Sequence, residues 1–195
     1  MTTAADVIEL ATLECEVIEG SLLVSGGEVD SLMGLETIRE ITLTLQVTGA
    51  TQLVDLEGLG GLEQVSNLSF ESDDNLSSIA LPALRSTGGL SVTSLSSAEF
   101  IELPLLQSVT GSVLVNGNEA LTSIEMDSLE SIGTLSVGSN PNLLTLNGLP
   151  SLSEAERLFI IENPKLPQCE VDAIAERTEA LCSPCTDNDG GAMCD

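Results

Sequence analysis

The sequence contains no histidine, no tryptophan and no tyrosine, and only 3 phenylalanines among 195 residues. Without histidine it lacks the side chain that most readily serves as general base near neutral pH, which excludes a histidine-dependent triad or zinc-water site. Basic residues are almost as scarce: 5 Lys plus Arg stand against 31 Asp plus Glu, for a net charge of -26. A surface of that sign repels phosphate backbones and anionic lipid headgroups, so nucleic acid is excluded as a partner. No apolar run approaches the roughly 20 residues of a membrane-spanning helix. No Gly-rich phosphate loop of Walker or dinucleotide type is present. Paired carboxylates such as Asp73 and Asp74 occur, but in so acidic a chain such neighbours arise by chance and are no glycosidase signature. The chain reads as a non-enzyme with no cofactor.

What is present is a folded composition with a repeat. A hydrophobic fraction of 42% and a mean hydropathy of +0.28 argue against disorder. The length suits one elongated repeat domain. The stretch TGSVLVNGNEALTSIEMDSLESI, Thr110 to Ile132, recurs in altered form on both sides of itself. One apolar column is Leu22, Leu45, Leu68, Leu90, Val113, Leu135 and Leu158, at steps of 23, 23, 22, 23, 22 and 23 residues. Two residues after each stands Val24, Val47, Phe70, Val92, Val115, Val137 or Ile160, so every coil contributes a strand core with period two. Further columns keep the step: Leu53, Leu76, Ala98, Leu121, Leu143, Leu166; Leu56, Ile79, Ile101, Ile124, Leu146; and Ile38, Leu62, Leu84, Leu106, Leu129, Leu152. No coil can bury its apolar side alone, so the core exists only when coils stack. The expectation is a mainly β protein, a right-handed parallel β-helix or leucine-rich-repeat-like solenoid of about seven coils.

The loops follow the same register. Asp73, Asn118, Asn140 and Asn163 share one position after the strand, where an inward amide can satisfy backbone groups of adjacent coils. Pro82, Pro104 and Pro150, with Asp127 in one coil, share another and fix a bend that needs no donor. Glycines such as Gly49, Gly111 and Gly133 stand near strand ends, where tight backbone geometry favours them.

A short helix is predicted from Thr3 to Leu13, with Thr3 as N-cap and Asp6 in the first turn. A second is predicted from Gln168 to Ala180, with Val171, Ile174, Ala175 and Leu181 marking its apolar side. These cap the two ends, giving a solenoid domain over 3–181 and an irregular, cysteine-pinned tail over 182–195. Four of the five cysteines, Cys169, Cys182, Cys185 and Cys194, crowd into that region, which points to an oxidising compartment. Two uses are open, disulfides or a tetrahedral thiolate zinc site. For disulfides, a helix about 16 Å long separates Cys169 from Cys182, so the expected pairs are Cys169 with Cys185 and Cys182 with Cys194. Asp187-Asn188-Asp189-Gly190 is rich in calcium-type oxygens but lacks a distal bidentate Glu; a capped turn is the plainer expectation. Met1 is followed by TTAADVIEL, without the basic start and long apolar stretch of a signal peptide; from the cysteine clustering, an exported, extracellular or cell-surface protein is expected whose leader is absent from this chain.

Three phrases carry a family resemblance: Cys15-x-Val17-Ile18-Glu19-Gly20-x-Leu22, Leu129-x-Ser131-Ile132-Gly133-x-Leu135-x-Val137-x-x-Asn140, and Asn163-Pro164-Lys165-Leu166-Pro167-x-Cys169. Over nearly all of 3–181 the chain resembles the receptor L domain, the short β-helix of insulin-receptor and epidermal-growth-factor-receptor ectodomains that also occurs in fungal and bacterial surface proteins. The resemblance implies an extracellular recognition module. It also implies that Cys15 is one half of a bridge whose other cysteine lies upstream of this chain. The cysteine-rich modules and aromatic contact surfaces of the hormone receptors are missing, so hormone binding does not carry over.

The candidate site is the outward side of the strands. Thr44, Gln46, Ser69, Ser91, Leu114, Ser136, Phe159 and Ile161 are its expected members, a flat, mostly hydroxyl-bearing face with apolar residues at Leu114, Phe159 and Ile161. The expected function is a non-enzymatic interaction module presenting this face to a protein or glycan partner at or near a cell surface. The alternative is a structural or ice-binding solenoid that uses the hydroxyl columns, against which stand interruptions at Gln46, Glu71, Gly89 and Leu114.

Overall fold

The computed structural model describes residues 1–191. In chain order the elements are α1 (Ala4–Ala11), β1 (Val17–Ile18), β2 (Leu22–Ser25), β3 (Glu40–Thr48), β4 (Gln64–Glu71), β5 (Ser78–Ala80), β6 (Ser86–Thr93), β7 (Phe100–Glu102), β8 (Ser108–Asn116), β9 (Ser123–Glu125), β10 (Ser131–Gly138), β11 (Glu154–Ile161), α2 (Gln168–Thr178) and β12 (Leu181–Cys182). They form a parallel β-solenoid of about 7 turns with coils of about 23 residues. Each coil lays one long strand in a broad parallel sheet running from β1 and β2 through β3, β4, β6, β8, β10 and β11 to β12. Three successive coils add short strands to a narrow second sheet, β5-β7-β9.

The leucine column is the register of the broad sheet. Leu22 pairs with Leu45, Leu45 with Leu68, then Leu90, Val113, Leu135 and Leu158 in turn. All of them are buried, and each such side chain removed from water contributes about 2 kcal/mol. Ile79, Ile101 and Ile124 pair likewise in the narrow sheet and meet the leucines across one continuous interior.

Irregularities of strand length are absorbed within the broad sheet. β3 and β8 are nine residues long where β4, β6, β10 and β11 are eight, and the pairing shifts by one residue between Ile41 and Thr44 and between Thr87 and Leu90. The extra residue is absorbed as a bulge, so the leucine column stays aligned. At the open end, β1 and β2 flank the bulge of β3 separately: the Gly20 N–H donates to Thr42 Oγ1 and the Leu43 N–H to the Gly20 carbonyl.

After the broad strand the chain turns a corner through one residue of positive φ: Gly26 at 90°, then Gly49, Ser72, Ser94, Gly117, Ser139, Glu162 and Asp187 between 54° and 68°. From Gly49 on, the residue that follows points inward. At Asn118, Asn140 and Asn163 this builds the expected ladder, fully buried. Asn140 Oδ1 accepts the Asn118 N–H at 3.0 Å and Asn163 Oδ1 accepts the Asn140 N–H at 3.1 Å, while the Nδ2 groups donate to Val92, Val115 and Val137 carbonyls of the preceding coils. Backbone groups that the corner would leave unpaired in the dry interior are thereby satisfied.

Both ends are covered. At α1 the Thr3 side chain accepts the Asp6 N–H and the Asp6 carboxylate accepts the Thr3 N–H, a reciprocal cap; backbone hydrogen bonds from Thr2 and Thr3 hold the Asp6 carboxyl below its usual range. The helix stops at Ala11, short of the expected Leu13, and Met1–Thr3 runs along the outer edge of β2. At the far end α2 stops at Thr178, where Glu179 adopts a left-handed C-cap. Glu170 Oε2 accepts the Leu146 N–H, and the Arg177 guanidinium donates to the Leu149 and Leu152 carbonyls. The cap helix therefore supplies what an eighth coil would have supplied at those groups.

The segment after Ala180 corrects an expectation. It is not an irregular appendage: Leu181 and Cys182 pair with Arg157 and Leu158, the Ile160 N–H donates to the Pro184 carbonyl, and the Glu162 N–H donates to the Thr186 carbonyl. Asn188, expected in a calcium-like or capped loop, becomes the last ladder rung; its Nδ2 donates to the Ile160 carbonyl at 2.9 Å and its Oδ1 accepts from Asn163 Nδ2. The disulfide expectation is also corrected. Cys182 bonds to Cys185, with Cα atoms 5.6 Å apart across the turn at Ser183 and Pro184, so neither Cys169–Cys185 nor Cys182–Cys194 forms. The long helix sets the distance from Cys169 to Cys182, whereas the turn at Ser183 and Pro184 brings Cys182 and Cys185 together. The same bond removes Cys182 and Cys185 from the zinc alternative. Cys169 is disulfide-bonded as well, Cys194 lies outside the described residues, and Cys15 is a free, half-buried thiol.

Candidate functional site

Strand alternation decides which side chains reach the outer surface of the broad sheet. Because Leu45 and Val47 point inward, Thr44, Gln46 and Thr48 point outward, and parallel register repeats that choice in every coil. Gln46, Ser69, Ser91, Leu114, Ser136 and Phe159 form one unbroken row of direct partners. Thr44 lies in the row to one side, paired with Asn67. Ile161 lies in the row to the other, with Thr48, Glu71, Thr93, Asn116 and Gly138. All eight expected residues thus share one surface. Leu114 is its most open member of that set, 37% exposed, and Leu23, paired with Gln46, extends the row at 43%. Leu23 was readable, since it sits between Leu22 and Val24 at the same offset as the rest of the row.

A second feature of this wall was not expected. Where the bulges bend the strands, a shallow trough of about 260 Å³ runs across them, lined among others by Thr42, Ser66, Gly88 and Thr110. Gly88 lines it, and along the same strands the backbones approach closely at Gly111 and Gly133. A Cβ on Gly111 would lie 2.5 Å from the Gly88 carbonyl oxygen, and one on Gly133 would lie 2.5 Å from that of Gly111, closer than any relaxed contact. The trough continues over Thr110 and Gly133 toward Glu154 and Glu156.

The electrostatics of the wall follow from the same strands. β6, β8 and β10 read STGGLSVT, SVTGSVLVN and SIGTLSVG, without a single charged residue. Charges on the broad sheet are confined to its outer strands, at Glu40, Glu71, Glu154, Glu156 and Arg157. The narrow sheet is the reverse: Glu102 pairs directly with Glu125, and Glu99 and Asp127 stand exposed beside them. Chemically the broad face offers hydroxyl and amide hydrogen-bonding groups around a few apolar side chains. Among the described residues no group of three or more His, Cys, Asp or Glu is placed to hold a metal ion, and no helix is long and apolar enough to cross a membrane.

Fold and surface together define a capped parallel β-solenoid with a corner ladder and a broad wall whose three central strands carry no charge. In comparisons with known proteins, no family model, no curated protein and no solved structure matches the chain.

Proposed function

We propose that the chain is a non-enzymatic recognition module of the receptor L domain kind, which presents its broad wall to a protein or glycan partner at or near a cell surface. One observation carries this reading: a chain with net charge -26 keeps every charge off its three central strands. Contact centres are depleted of charge because a charge that loses its water without gaining a partner is costly. An acidic coat with a neutral window leaves that window as the surface easiest to desolvate. The three uncharged strands, about 4.8 Å apart and eight residues long at about 3.3 Å per residue, span roughly 400 Å². That is about half of the roughly 800 Å² that each partner buries in a stable complex, the size of a contact centre inside a polar rim. The ice-facing alternative is the weaker one, because the central row carries Gln46, Leu114 and Phe159 between its serines.

Affinity capture from the surface fraction of the source cells tests the proposal. Leu114→Glu places a charge in the window and Phe159→Glu places one at its edge in the same row, and each is expected to abolish capture of a partner held by the wild-type chain, whereas Glu102→Lys on the narrow wall leaves it intact. Capture unaffected by the two window substitutions contradicts the proposal.

A further inference from the structure

We propose that Asp73 keeps its proton at neutral pH and serves as a surrogate asparagine in the corner ladder, so that the coils it joins lose stability as pH rises. Asp73 occupies the ladder position and is fully buried, like Asn118, Asn140 and Asn163. Its Oδ1 accepts the Ala50 N–H just as Asn118 Oδ1 accepts the Leu95 N–H. In the asparagines the second terminal atom is Nδ2, which donates to the carbonyl of the preceding coil, at 3.1 Å from Asn118 to Val92. In Asp73 that atom is Oδ2, and it has no hydrogen-bond partner. Register makes Val47 the counterpart of Val92, so the group facing Oδ2 is a carbonyl oxygen. An ionised carboxylate is repelled there, whereas a carboxylic acid donates and restores the rung.

The surroundings favour the neutral form. The coil before offers Ala50, Thr51 and Gln52 and the coil after offers Leu95, Ser96 and Ser97, none of them charged. The charge that acts on Asp73 is that of its neighbour Asp74, of the same sign; burial first, then Asp74, raise its pKa above the usual carboxylate range, against the opposing Ala50 N–H.

The linkage sign follows. An unfolded chain releases this proton near 3.8, while the folded chain retains it, so the folded state binds more protons and stability falls as pH rises. The loss begins at the unfolded value and levels off once pH passes the folded one. Unfolding of the whole chain and of Asp73→Asn from pH 3.5 to 8.5 tests this. The two are expected to unfold alike at the acid end, with the variant gaining about tenfold in its folded-to-unfolded ratio per pH unit above it, until the gap becomes constant. Glu119→Gln, which removes an exposed charge, should show no such widening. A gap independent of pH, or a variant less stable than wild type at pH 7, overturns the proposal. Should the variant not fold, the carboxyl carbon resonance of Asp73 in the wild-type chain decides instead: a protonated shift at pH 7 is expected, and an ionised one overturns it.

Discussion

The two sheets enclose the same leucine interior yet meet solvent in opposite ways. The broad wall stacks uncharged strands so closely at Gly88, Gly111 and Gly133 that backbone forms the surface, whereas the narrow wall sets Glu102 against Glu125 in adjacent coils. In a parallel stack each outward position recurs beside itself at about 4.8 Å, so a charge kept at that position in successive coils stands directly against its like. The narrow wall carries that repulsion and is only three short strands wide. The broad wall avoids it, at the expense of solubility that the rest of the acidic surface must supply. Interior packing sets the fold on both sides; the outer chemistry is what differs between them.

Substitutions on each wall sharpen this contrast. The largest effect belongs to Gly111→Ala, where the new methyl meets the Gly88 carbonyl oxygen; strand stacking cannot yield there without opening the bulge, and a loss of about 2–3 kcal/mol in urea unfolding is expected. A loss below about 0.5 kcal/mol would mean that the close approach is not structural. On the narrow wall the sign reverses: Glu125→Gln relieves a direct like-charge pair and is expected to stabilise by about 0.5 kcal/mol at low salt, a gain that shrinks at high ionic strength. A gain that ignores salt would remove repulsion as its cause.

Much of this architecture was legible because the repeat is exact where it matters. The column from Leu22 to Leu158 proved to be the pairing register itself, and Asn118, Asn140 and Asn163 proved to be a hydrogen-bonded ladder. The row Ile41, Val65, Thr87, Val109, Ile132 and Ala155 was missed, although it too is paired through the sheet. Its distance from the leucine column changes by one at each bulge, and it contains a threonine and an alanine, so no constant period exposes it. The last rung hid for a similar reason. Asn188 follows Asn163 after an insertion that breaks the step, in a segment whose cysteines and aspartates suggested other chemistry. The left-handed corners gave little signal because Gly26, Gly49 and Gly117 use the residue that geometry favours, while Ser72, Ser94, Ser139, Glu162 and Asp187 turn the same corner without it. The members of the candidate face were readable from alternation alone. The charge-free window was present in the sequence as well, but it becomes a surface only when β6, β8 and β10 are seen side by side.

Oxidative footprinting of the chain bound to its captured partner tests the central contrast most directly, because the two walls carry matched reporters: Leu114 on the broad wall and Phe100 on the narrow one are each 37% exposed. Binding is expected to shield Leu114 while Phe100 is oxidised as in the free chain. Shielding of Phe100 with Leu114 unchanged would contradict the assignment of the broad wall as the contact surface.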